Sequence, residues 1–112
     1  MTMNELYEKQ KEIQVGMGIG VGTENVIQWY NALSAASIEI GEALSEDTRW
    51  KRLVNGNVKK AYINREGVIG EIADIYLYLF NACIFYGISY ETLVDAICTK
   101  QNKNRKRLLQ LK

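Results

Sequence analysis

GVIGEIADIYLYLF, residues 67–80, reads as the middle of a buried helix, yet it carries two acids, Glu71 and Asp74, among Ile, Ala, Leu and Tyr. Carboxylates are rarely buried without a partner, because desolvating an unpaired ion is expensive. The same helix, expected over 65–86 and closed by Gly87 as a C′ glycine, continues with Tyr78 and Asn81. Glu71, Asp74, Tyr78 and Asn81 follow steps of three, four and three, which line one helical face.

An earlier long helix repeats the pattern. Starting at Thr23 as N-cap, with Glu24 in the first turn, and running to about Ser45, it carries Gln28, Asn31, Ala35, Glu39, Glu42 and Glu46 on one stripe. Its apolar side is expected at Val26, Ile27, Leu33, Ile40 and Leu44. Each helix therefore holds an acid pair at i, i+3: Glu39/Glu42 and Glu71/Asp74. If the stripes face one another, four carboxylates meet. At roughly 6 Å and an effective dielectric of about 20, each repulsive pair costs on the order of 3 kcal/mol, and six such pairs rival the roughly 5–15 kcal/mol that holds a small domain together. Protonation, a lysine or a cation must intervene. An oxygen-only cluster suits a hard divalent ion, Mg²⁺ first and Mn²⁺ as a substitute. The plainer alternative, an ordinary solvated acidic face, fits the first pair better than the second.

The last helix, capped by Ser89 with Glu91 in its first turn and running to about Leu109, carries Leu93, Ile97, Lys100, Asn104 and Arg107 on one stripe. That stripe begins apolar and ends cationic or amide, so it could reach from a bundle to a phosphate chain; a solvated basic helix end favoured by the helix dipole is the simpler alternative.

The remainder of the chain bounds the answer. Its 112 residues, 47% hydrophobic with a net charge of +1, suit one domain with a modest core and favour neither a nucleic-acid binder nor an acidic tail. The cluster KNRKR (103–107) is the exception to that balance, and by itself it is thin support for nucleic-acid binding. The chain has no proline and no histidine. The first fits an all-helical chain; the second excludes a Ser-His-Asp triad, Glu-x-x-His di-iron sites and the usual Cys/His zinc sites. Cys83 and Cys98 stand in helical segments with no Cys-x-x-Cys spacing, and are expected to be buried free thiols of a reducing compartment. No secretory leader opens the chain, and the apolar run 75–90, interrupted by Asn81, is read as core, so a cytoplasmic protein is expected.

Residues 3–15 form a polar helix with a thin apolar stripe at Leu6 and Ile13. GMGIGVG (16–22) alternates its glycines and so lacks the spacing of a dinucleotide or P-loop fingerprint; a hinge between helices is the expectation. Residues 47–63 suggest a short helix around Trp50 and a turn at NGN. No segment alternates with period two. The expected fold is all-α, a compact bundle of four to five helices.

Glu-x-x-Glu, then Glu-x-x-Asp after 28 intervening residues (43–70), then KQNKNRKR (100–107), resembles the all-α nucleoside triphosphate pyrophosphatases, the MazG-like enzymes and dimeric dUTPases among them. EIGEAL, GEIADIYLYL, YGISYETLVDAICTK and NKNRKR match in type and order over roughly residues 24–107, leaving the N-terminal helix and glycine segment outside. The resemblance implies hydrolysis of a (d)NTP to the monophosphate and pyrophosphate by water attack on the α-phosphorus. It implies that Glu39, Glu42, Glu71 and Asp74 hold Mg²⁺, with Glu39 or Glu42 orienting the water, and that Lys100, Asn104 and Arg107 contact phosphate or sugar. TRWKR (48–52) is similar to the aromatic-plus-lysine segment of the dUTPase branch, which makes Trp50 a stacking residue and Lys51 a phosphate contact; Tyr78 would flank the nucleotide, and a polar edge such as Asn31 or Gln28 could select the base. The family's habit of forming dimers or tetramers implies a homo-oligomer here. The competing expectation is a non-enzymatic helical module for oligomerisation or partner binding.

Overall fold

The structure, a computed structural model, describes residues 1–18, 26–48 and 63–111. These form four helices and no strands: α1 (Met3–Gly16), α2 (Val26–Glu46), α3 (Arg65–Tyr86) and α4 (Tyr90–Gln110). The expected short helix around Trp50, the NGN turn and the Thr23 cap lie outside the described residues.

Local chemistry explains most of the boundaries. Thr2 and Glu5 form a capping box at the start of α1, with the Glu5 amide donating to Thr2 Oγ1 at 3.1 Å. α1 stops where the glycines begin, and Gly18 sits at φ 73°, a conformation that disfavours side chains. At the start of α3, Asn64 Oδ1 accepts from the Gly67 amide at 3.0 Å. The helix closes at Gly87, φ 87°, as the glycine there promises. Ser89 Oγ accepts from the Thr92 amide at 3.1 Å and opens α4.

α2 and α3 form the body of the molecule. They run antiparallel, their adjoining ends tied by the Asn64 amide to the Glu46 carbonyl at 2.7 Å and by an isolated bridge between Asp47 and Ile63. Ala32 and Ala36 are the buried residues of α2, and their small side chains let the two backbones approach closely. The rest of the core is Tyr7 from α1 with Phe80, Ala82, Ile84 and Phe85 from α3. The Tyr7 ring meets Phe80 edge-on at 5.3 Å and Tyr90 at 5.6 Å, and its hydroxyl donates to the Ile88 carbonyl. Burial, and then the neighbouring Cys83 and Glu8, push the Tyr7 phenol up to about 12, so it remains a neutral donor.

Several faces differ from the sequence expectation. α1 docks through Tyr7, Gln10 and Gln14, while Leu6 and Ile13 are exposed. On α2 the residues Val26, Ile27, Ile40 and Leu44 are exposed, although Leu33 packs against the core. Once the small-residue face of α2 meets α3, its larger apolar side chains are left exposed among the described residues. The 75–90 run is core only in part: Phe80, Ala82, Ile84 and Phe85 are buried, but Tyr76, Leu77 and Leu79 on the same helix are 40% exposed or more. α3 is long and apolar enough to cross a bilayer by length and composition alone, with 22% of that stretch buried. Both cysteines are free, but only Cys83 is half-buried; Cys98 is exposed on α4, a helix with no buried residue.

Candidate metal centre

The two acidic stripes do face one another. Glu39 and Glu42 of α2 and Glu71 of α3 bring one carboxylate oxygen each within 4.8 Å of the others. Glu39 and Glu71 are half-buried and Glu42 is exposed. The antiparallel packing at Ala32 and Ala36 produces this convergence, because Glu39 lies on the turn that follows Ala36 and faces the same neighbour. Asp74, one turn beyond Glu71, is exposed and stands outside the trio.

The trio is short of protons or cations. Glu39 Oε2 and Glu71 Oε2 are buried with no hydrogen-bond partner. A proton shared with Glu71, then burial, then the negative charge of Glu42 and Glu71, raise the Glu39 carboxyl from 4.5 to about 7. Orphaned carboxylate oxygens facing one another are the surroundings in which a hard cation replaces a shared proton. The donor set is all oxygen, which fits Mg²⁺ or Mn²⁺ and suits softer transition metals poorly. Glu46, the last acid of the α2 stripe, is committed elsewhere: its Oε2 accepts from Asn64 Nδ2 at 2.9 Å. A Cβ on Gly67 would lie 2.5 Å from that same oxygen and 2.6 Å from Asn64 Nδ2, so a side chain there would displace the Asn64–Glu46 pair.

Further along the same interface the polar members of the two stripes share an open cavity of ≈ 390 Å³, to which α2 contributes Gln28, Asn31, Ala32 and Ala35 and α3 contributes Tyr78, Asn81 and Phe85. Asn31 and Tyr78, expected to meet the nucleotide, are thus brought together, Tyr78 half-buried and Asn31 exposed. Sequence reading missed Gln14, which reaches this cavity from α1 and is 6% exposed. It also missed Gln10, whose Nε2 donates to Asn81 Oδ1 at 2.8 Å. A signal was present: Met3, Tyr7, Gln10 and Gln14 recur at steps of four, three and four.

Lys100, Asn104 and Arg107 are not brought to the acids within one chain. All three are exposed on the distal half of α4, and none makes an ion pair or side-chain hydrogen bond with a described residue. The proximal half of α4, through Leu93, Val94 and Ile97, faces Trp29, Tyr76 and Leu79 across an open apolar cavity of ≈ 510 Å³. Trp50 and Lys51 lie outside the described residues. Comparison with family models, with curated proteins and with solved structures finds no match.

Proposed function

We propose that the chain is a Mg²⁺-dependent nucleoside triphosphate pyrophosphohydrolase of the MazG-like or dimeric dUTPase-like kind, working as a cytoplasmic homodimer or homotetramer on a free (d)NTP. The convergence of Glu39, Glu42 and Glu71 from two helices carries this reading, together with the spacing of the acid pairs and the basic end of α4. Glu39, Glu42 and Glu71 would hold Mg²⁺, with Asp74, one turn further along α3, as a fourth candidate ligand; Mn²⁺ would substitute. Bound there, the ion would neutralise triphosphate charge and polarise the α-phosphate.

The chain's own residues supply the rest. A carboxylate of the Glu39/Glu42 pair orients the attacking water and accepts its proton. The water oxygen bonds to the α-phosphorus as the bond to the bridging oxygen breaks, and pyrophosphate leaves. Lys100, Asn104 and Arg107 would meet the phosphates or sugar of a nucleotide held on a partner copy, because α4 carries them away from the acids of its own chain. Trp50 and Lys51 would complete the base and phosphate contacts.

A panel of dNTPs and NTPs with Mg²⁺, with products separated, tests the activity. Monophosphate and pyrophosphate are expected from at least one nucleotide. Orthophosphate release contradicts it in favour of a phosphatase; no turnover from any of them contradicts it and leaves the non-enzymatic helical module, which the exposed apolar faces of α2 and α3 would equally serve.

A further inference from the structure

We propose that the amide-lined cavity between α1, α2 and α3 takes the base of the nucleotide, and that Gln14 of α1 reads its edge. This rests on the pyrophosphohydrolase reading of the acid trio beside it, but it concerns a helix outside the resemblance that suggested that reading. The Gln14 side chain is 6% exposed, lines the cavity and makes no hydrogen bond with a described residue. Its amide is not one of the fully buried orphan groups of the fold, which are Glu39 Oε2 and Glu71 Oε2, so it keeps access to the open cavity. An amide held at the wall of an open cavity can bond a ligand there without first breaking a protein contact.

The surrounding groups specify that ligand's chemistry. A carboxamide offers a donor and an acceptor in one plane, the complement of the adjacent donor and acceptor on a nucleobase edge. Asn81 has its Oδ1 occupied by Gln10, at 2.8 Å, which leaves its Nδ2 hydrogens for a ligand acceptor. Tyr78 and Phe85 line the same space and provide aromatic surface for a planar ring. The ≈ 390 Å³ volume lies in the range of small-molecule sites. Ala35, on its wall, is one helical turn from Glu39, roughly 6 Å along the axis. A base in the cavity therefore leaves its phosphates directed along the interface towards the acids.

Calorimetric titration with three probes tests this: the four free deoxynucleosides, their non-hydrolysable triphosphate analogues with Mg²⁺, and inorganic tripolyphosphate with Mg²⁺. Gln14→Leu is expected to weaken the preferred nucleoside and its analogue at least about tenfold, one to two hydrogen bonds' worth, and to flatten the ranking among bases. Tripolyphosphate affinity should not change. Gln14→Met repeats the test should a branched side chain disturb α1. Nucleosides that bind wild type and both variants alike, or that do not bind wild type, overturn the proposal, as does an equal loss for tripolyphosphate. Failure of wild type to bind tripolyphosphate with Mg²⁺ instead overturns the metal-site reading, while nucleoside binding still decides the role of Gln14.

Discussion

Glu39 couples the acid trio to pH. Its carboxyl is raised to about 7 in the folded chain, first by the proton shared with Glu71, against 4.5 for the free group. Between those values the folded state binds more protons than the unfolded state, so stability falls as pH rises. The metal-free protein should therefore melt at progressively lower temperature from about pH 5 to about pH 8, and Glu39→Gln should flatten that slope. A melting temperature that rises across the window, or a slope that survives in Glu39→Gln, contradicts the shared proton. Tyr7 makes a different kind of contribution. Its hydroxyl satisfies the Ile88 carbonyl from inside the core, so Tyr7→Phe should cost about 1 kcal/mol in urea unfolding, the net worth of a buried hydrogen bond whose acceptor is left unpaired. Unchanged stability would show that water serves that carbonyl equally well.

At the scale of the helix, the ends carry much of the specificity. Asn64 both caps α3 and ties it to Glu46 of α2, so Asn64→Ala should destabilise by about 1 kcal/mol or more. A neutral result would mean that the packing of α2 on α3 alone sets the start of α3. Such ends were legible in the sequence because their chemistry is local: Gly87 and Ser89 mark the α3–α4 junction without reference to anything distant. That Glu39 and Glu42 share one side of α2, and Glu71 and Asp74 one side of α3, was legible too, because helical period fixes it; that those sides meet, and that Asp74 stays outside the trio, was not, because it depends on how the two helices pack. The docking side of α1 was not. Hydrophobicity points to Leu6 and Ile13, but a polar stripe of Gln10 and Gln14 wins because Asn81 and an amide-lined cavity await it on α3 and α2. Likewise Val26, Ile27, Ile40 and Leu44 read as core, since a single sequence does not reveal that the closest helix contact is made by alanines.

The whole molecule is wider than a self-contained globule of its length. Its radius of gyration is 17.6 Å, where about 13 Å is expected for a compact chain of this size. Large apolar residues stand exposed along α2 and α3, among them Ile27, Ile38, Ile69 and Tyr76, and the cationic end of α4 has no ion-pair partner among the described residues. Sedimentation at micromolar concentration should accordingly find a dimer or tetramer, and a monomer would contradict the proposed assembly. In that assembly Lys100→Ala or Arg107→Ala should raise KM for a triphosphate, since charge-assisted contacts to phosphate are strong; unchanged kinetics would remove α4 from the site. The assignment on which the rest depends is that Glu39, Glu42 and Glu71 hold a divalent ion. It is tested most directly by titrating Mn²⁺ into the metal-free protein at about pH 8 and following the electron paramagnetic resonance of the free ion. Wild type should deplete that signal stoichiometrically, Mg²⁺ should restore it by competition, and Glu71→Gln should stay folded, melt no lower than wild type and leave the signal undepleted. A wild-type chain that leaves free Mn²⁺ untouched, or a Glu71→Gln variant that binds it as tightly, would contradict the metal centre.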